Sequence, residues 1–493
     1  MSNSYILGID QSTQGTKAVL LDKTGKILGR QDIGHEQIIN KLGWVEHDPI
    51  QIYKNVISAV KALLNITLVK KSEIIGVGIT NQRETAVVWD RQSGIPVCNA
   101  IVWQCARGAA ICKRLEASKE LIHNRTGLNL SPYFTASKIA WVIENVEGAR
   151  SKSERAELAY GTMDSWLVYK LTQGATFKTD YSNASRTQLF NIHDLKWDRD
   201  ICELFGINTA CLAEVYDSNA CYGYTDFDGL LEEPIPIHAV LGDSHGALFG
   251  QNCMESGMVK ATYGTGSSIM MNIGAKPYIS NKGIVTSLAW GMDGRVEYVL
   301  EGNINYTGAV ISWLKDKVEL IDSSDETEYY ASIANPADHT YLVPAFSGLG
   351  APYWNSDASA ILYGMTRNTG KAEIVRAALE SIAYQITDII EAMRQDTGIE
   401  ITELRVDGGP TKNRYLMQFQ SDLLSIPLRV PKTDELSVVG AAYTAGIAFG
   451  VYDKDKVFSE IEAVQFHPDM EQEIRAEKLK GWKEAVNMIM KDK

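Results

Sequence analysis

A chain of 493 residues, 45% hydrophobic and 22% charged, has the composition of an ordinary globular protein and the length for two large cores. Its net charge of −13, from 48 basic and 61 acidic side chains, repels a phosphate backbone and argues against nucleic acid as a partner. Seven cysteines without CxxC spacing point to reduced thiols in the cytoplasm, and no apolar run approaches the length of a membrane span.

Met1 to Ser4 lack a basic n-region, so no signal peptide is expected. Strands are predicted over Tyr5–Asp10, Lys17–Asp22 and Ile27–Gln31, the last two joined by Lys23-Thr24-Gly25. Asp48-Pro49 reads as an N-cap and first helical residue, opening a helix around Ile52 to Leu64. The apolar run Ile237–Leu241 predicts a strand ending at Asp243. A second strand–turn–strand unit follows, Gly257–Tyr263 and Ser267–Ile273 around Gly264-Thr265-Gly266. Two such units, each opening half of the chain, suggest an internal duplication with the boundary near 246–256 and a cleft between packed halves. Domains of 1–250 and 251–493 are expected. Ile374, Ala378, Ile382, Ile386, Ile389 and Met393 recur at helical spacing, with Gly398 as the stop. A strand over Glu403–Val406 leads through Asp407-Gly408-Gly409 to a further helix. The Ala- and Gly-rich Val438–Phe449 can lie close to a neighbouring backbone.

Four segments carry candidate chemistry. Gly8 to Lys17 sets a carboxylate, Asp10, before a turn rich in hydroxyls and glycine. Such a turn suits phosphate while the carboxylate suits hydrated Mg²⁺, although a plain hairpin would use the same residues. Tyr263-Gly264-Thr265-Gly266-Ser267-Ser268 lets a phosphate approach bare backbone. It lacks the third glycine of a dinucleotide fingerprint, and the chain has no P-loop. Gly408-Gly409 before a helix can bed a nucleotide, or be an ordinary strand-to-helix turn. Asp243, at a strand end beside the domain junction, stands where a general base for a hydroxyl belongs, though a lone Asp there is more often a helix cap.

Two further stretches carry a resemblance. Tyr133-Phe134-Thr135-Ala136-Ser137-Lys138-Ile139-Ala140-Trp141-Val142-Ile143-Glu144-Asn145 is similar to the first signature of the FGGY carbohydrate kinases. Ala360 to Met365 through Ala377-Ala378-Leu379-Glu380 is similar to the second. The resemblance covers essentially the whole chain and is closest to the glycerol kinase branch. Trp44 to Pro49, Asn81 to Thr85, Ala100 to Cys105 and Phe346 to Trp354 carry it there. It implies two RNase H-like (actin/hexokinase-type) α/β domains flanking a catalytic cleft, and ATP-dependent phosphorylation of a small polyol or sugar. It further implies that Arg83, Glu84, Tyr133 and Asp243 hold substrate hydroxyls, with Trp103 walling the pocket and Asp243 taking the proton. Asp10 would bind Mg²⁺ through water, Thr13 and Thr265 would contact the ATP phosphates, and Gly409 and Asn413 the adenosine. A homo-oligomer is also expected.

The sequence departs from glycerol kinases in places. Ser244 and His245 follow Asp243 where the branch has two glutamines, and Ser268 stands where it packs a phenylalanine on the substrate. Ser12 replaces a usual glycine. Ser244 and Ser268 therefore predict a roomier, hydroxyl-lined pocket for a four- or five-carbon polyol such as erythritol, threitol or xylitol, with glycerol as the alternative. A non-catalytic actin-like sensor is the reading of another class, which retention of both Asp10 and Asp243 opposes. The loop that binds fructose 1,6-bisphosphate in some relatives is replaced by the acidic Asp228-Gly229-Leu230-Leu231-Glu232-Glu233-Pro234.

Overall fold

The computed structural model describes residues 4–490; the amino-terminal Met1–Asn3, on which the signal-peptide expectation partly rests, lie outside the described residues. Among the described residues two large mixed sheets dominate, with smaller two- and three-stranded sheets beside them. The first contains β1 (Tyr5–Gln11), β2 (Gly15–Leu21), β3 (Ile27–Gly34), β4 (Ile74–Asn81), β5 (Gly223–Thr225) and β6 (Ile235–Gly242), in the order β5-β6-β4-β1-β2-β3. β1 pairs antiparallel with β2 and parallel with β4, and β4 is parallel to β6. The second sheet contains β7 (Val259–Tyr263), β8 (Ser267–Gly274), β9 (Val285–Met292), β10 (Arg295–Ile304), β11 (Leu404–Asp407), β12 (Leu428–Pro431) and β13 (Ala463–Phe466). Its order is β9-β10-β8-β7-β11-β12-β13. Again an antiparallel hairpin, β7-β8, adjoins parallel strands, β11 and β12, and an antiparallel strand closes the edge. The two sheets thus repeat one topology.

Helices follow the predicted signals closely. Helix α1 (Pro49–Thr67) starts where Asp48 Oδ1 accepts from the Ile50 amide at 2.8 Å, and Pro49 supplies a residue with no N–H to satisfy. Ile52, Val56, Val60 and Leu63 bury one stripe of it in the first core. Helix α2 (Thr135–Asn145) lies outside that sheet, and α3 (Asp243–Gly250) leaves β6 directly. Helix α4 (Lys371–Thr397) begins three residues earlier than the apolar spacing predicts, because the Glu373 carboxylate accepts from the Gly370 amide at 2.8 Å. Gly398, at φ 68°, closes it in the left-handed conformation. α5 (Arg414–Leu424) and α6 (Leu436–Ala448) complete the elements that shape the cleft.

The small-residue stretch forms α6, which lies on one face of the first sheet and along α3. Contact there is backbone on backbone. A Cβ on Gly440 would stand 1.9 Å from the Gly246 carbonyl oxygen, one on Gly250 2.3 Å from that of Leu436, and one on Gly78 2.3 Å from that of Ala441. Side chains of Val438, Val439, Ala442 and Tyr443 join Leu241, Leu248 and Phe249 in a separate apolar cluster at this seam. α6 belongs to the second half by sequence and to the first by packing, so the halves meet along a surface with no linker.

Candidate active site

Strands β1, β4 and β6 run parallel, so their carboxyl ends open on one side of the sheet, where parallel sheets present ligand-binding residues. The register aligns Asp10 with Thr80 and Thr80 with Leu241. Asp10, the segment Gln82-Arg83-Glu84 and Asp243 therefore emerge side by side.

Asp10 is buried and accepts from Thr80 Oγ1 at 2.9 Å. Burial pushes its carboxyl up to about 6, and the nearby Asp243 carboxylate adds to this while Lys17 opposes it. Asp243 is the first residue of α3, with a side chain 34% exposed to the cleft. One carboxylate oxygen accepts from the Ser244 amide at 2.6 Å and pairs with Arg83 Nε at 3.2 Å, so the carboxylate is oriented while its remaining lone pairs stay open.

Arg83 and Glu84 are buried, and Glu84 adopts φ 60°, rare for a side chain of its size and the kind of backbone cost met at functional sites. Arg83 donates from both Nη atoms to Glu301 on β10, at 2.8 and 3.0 Å. Glu84 accepts from Arg186 Nε at 2.6 Å, and Arg186 Nη1 lies 2.9 Å from the same Glu301. Five alternating charges thus connect Asp243, Arg83, Glu301, Arg186 and Glu84. Glu301 and Arg186 are absent from the sequence-derived site.

Trp103 and Tyr133 face each other edge to face at 5.4 Å and form an aromatic wall. The Trp103 indole donates to Thr13 Oγ1 at 3.0 Å. Lys138, fully buried in α2, donates to the carbonyls of Pro132, Tyr133 and Phe134, the last at 3.0 Å, and so holds the turn that carries Tyr133. Burial lowers its ammonium to about 7.

The two phosphate-type turns differ in freedom. In the first, the Ser12 amide and hydroxyl both donate to the Gly15 carbonyl, at 2.9 and 3.1 Å, so the serine in place of glycine closes its own turn. In the second, Thr265 is exposed, and its carbonyl accepts from the amides of Thr307 and Ala309. Thr265 lines a cavity of about 690 Å³ together with Gly308, Ile311, Gly409 and Asn413. Gly408 sits at φ 101°, where a Cβ would meet the Tyr263 carbonyl at 2.0 Å, whereas one on Gly409 would meet nothing within 4 Å. The Asn413 amide is largely occupied: its oxygen caps α5 through the Leu416 amide at 2.9 Å and its nitrogen donates to Thr327 at 3.0 Å.

Two side chains bear on the shape of the pocket. His245 is fully buried, with Nε2 3.5 Å from Ser287 Oγ. The Ser268 hydroxyl is turned toward Glu301, at 3.4 Å, instead of standing free.

The profile for the FGGY family of carbohydrate kinases, N-terminal domain, matches residues 5–250, and that for the C-terminal domain matches residues 259–449. The chain is 47% identical over 490 residues to a glycerol kinase of Carboxydothermus hydrogenoformans, covering 99% of this chain and 98% of the relative. It is likewise 47% identical to glycerol kinase 1 of Thermotoga maritima, covering 99% of both. Among solved structures, Plasmodium falciparum glycerol kinase with ADP superposes with a TM-score of 0.94 at 37% identity, covering 99% of each chain.

Proposed function

This chain belongs to the FGGY family of carbohydrate kinases, two-domain actin-like enzymes that use ATP, and we propose that the hydroxyl it phosphorylates belongs to glycerol. The observation that carries the proposal is the row of Asp10, Arg83-Glu84 and Asp243 at the carboxyl ends of three parallel strands, within a chain nearly half identical to glycerol kinases throughout. Arg83, with two of its five N–H groups unspent, grips the substrate hydroxyls together with Glu84, Tyr133 and Asp243, while Trp103 walls the carbon chain. Asp243 accepts the proton of the attacking hydroxyl. Thr13 and Thr265 hold the ATP phosphates, Gly409 offers bare backbone to the adenosine, and Asn413 contributes mainly by fixing the start of α5. Phosphoryl transfer asks chiefly for such positioning and charge neutralisation.

Asp10 suits Mg²⁺. No cluster of three or more metal-ligating side chains occurs among the described residues, which fits a cation held by one carboxylate and completed by water and phosphate oxygens. A buried carboxyl raised to about 6 beside a second carboxylate is stabilised in its ionised form by a cation at that place. The metal would neutralise charge on the phosphates.

The longer polyol suggested by Ser244 and Ser268 is the second reading: the full-length relatives are glycerol kinases, and the Ser268 hydroxyl has Glu301 within 3.4 Å. Glycerol is expected to give the highest kcat/KM in a series with erythritol, threitol and xylitol. A tetritol or pentitol at the head of that series would overturn the assignment and return the pocket to the roomier reading. Fructose 1,6-bisphosphate at millimolar concentration is expected to leave the rate unchanged. The 228–234 turn offers it Asp228, Glu232 and Glu233, of which Asp228 already accepts from Tyr53 at 2.7 Å. Saturable inhibition that other anions do not mimic would contradict this.

We place the domain division at 250/251, after α3, supported by the gap between the two matched profiles. A homo-oligomer and a cytoplasmic location are proposals that rest on family resemblance and cysteine usage. Among the described residues no helix is long and apolar enough to cross a membrane.

A further inference from the structure

Glu301 is the one carboxylate of the charge chain that no role in substrate binding claims. Its side chain is fully buried in β10 of the second sheet, yet both of its ion-pair partners come from the first half of the chain. Arg83 reaches it from the segment after β4 and Arg186 from the turn after Tyr181–Ala184. Each arginine then contacts a different carboxylate at the substrate end, Asp243 for Arg83 and Glu84 for Arg186. Arg83 thus spends the fork between its two Nη atoms on Glu301 and turns its Nε edge to Asp243.

We infer that Glu301 is a positioning residue for the polyol: it fixes the rotamers of Arg83 and Arg186 and, through them, the carboxylates of Asp243 and Glu84. Without its charge, two buried guanidiniums would face each other across the gap with no negative charge between them, and Arg83 would be free to collapse fully onto Asp243. Both changes strike the hydroxyl-binding end and spare the nucleotide cavity, which lies around Thr265 and Gly409. The Ser268 hydroxyl, 3.4 Å from the Glu301 carboxylate, is a peripheral contact of this cluster.

The inference rests on the proposed polyol kinase reading, and the experiment separates the two. For wild type, Glu301→Gln, Glu301→Asp and Arg186→Lys, one measures kcat and both KM values with the best polyol, and binding of that polyol and of ADP by calorimetry. A wild-type enzyme that neither binds nor phosphorylates any polyol defeats the functional reading by itself. If Glu301 positions the polyol groups, Glu301→Gln raises the polyol KM and dissociation constant at least tenfold and lowers kcat/KM at least 100-fold, with ADP binding within threefold of wild type. Arg186→Lys, which keeps the charge but cannot bridge two carboxylates, moves the same polyol values at least fivefold, and Glu301→Asp recovers part of the loss. A role in stability alone would lower the folded fraction and leave both affinities in place. Polyol affinity within twofold of wild type in the folded variants overturns the inference. Should Glu301→Gln not fold, Arg186→Lys decides alone by the same criterion.

Discussion

Asp243→Asn is expected to lower kcat by about 10²–10⁴-fold while ADP still binds with close to wild-type affinity, as loss of a general base does. The amide has the shape of the carboxylate and can still accept from the Ser244 amide, so the start of α3 is kept. It cannot take up the proton of the attacking hydroxyl. It also removes the negative partner of Arg83 Nε, leaving Arg83 to Glu301 alone. Rapid-quench measurement of product, with ADP titration as the folding control, checks the result. Turnover near the wild-type rate would remove Asp243 from the role of base.

Gly440→Ala is expected to destabilise the protein by about 1–2 kcal/mol net. The gain in helix propensity is about 1 kcal/mol, and the cost of overpacking usually outweighs it, most of all where backbone is the obstacle. The new methyl group would stand 1.9 Å from the Gly246 carbonyl and 2.9 Å from the Gly250 amide, and neither atom can swing aside as a side chain would. Relief requires α6 to lift from α3, which carries Asp243 at its first position, so kcat is expected to fall along with stability. Gly409→Ala is the control: its Cβ meets nothing within 4 Å, and stability should stay within about 0.5 kcal/mol of wild type. Denaturant unfolding of the three proteins checks the contrast, and an unchanged midpoint for Gly440→Ala would mean that the seam yields at little cost.

Much of this architecture was legible where local rules act alone. Asp48-Pro49, Gly398 and the period of Ile382, Ile386 and Ile389 announced their helices because capping and burial are short-range demands. The glycines of α6 announced close packing but not the partner, since nothing in a sequence says that Gly440 meets Gly246. The family resemblance pointed to Asp10, Arg83, Glu84 and Asp243, and the strand register brings them side by side. Glu301 escaped notice although a signal existed. A lone carboxylate within the buried stretch Tyr298-Val299-Leu300-Glu301-Gly302 calls for a buried cation. Its partners lie more than 100 residues away in sequence, so only the assembled fold could name them. The surroundings of Ser268 were hidden for the same reason: its nearest polar partner, Glu301, lies on a neighbouring strand 33 residues on.

The bond from the Trp103 indole to Thr13 sets a direction as well as a distance. An indole can only donate, so the threonine oxygen is the acceptor, and its own proton is left to point away, toward whatever anion enters the turn. In the roles proposed here, the ring against which the polyol rests and the hydroxyl that greets the phosphate are one atom pair apart. Ligands so placed do not bind as strangers. On those roles each ligand is expected to tighten the other's grip, and by reciprocity to the same degree.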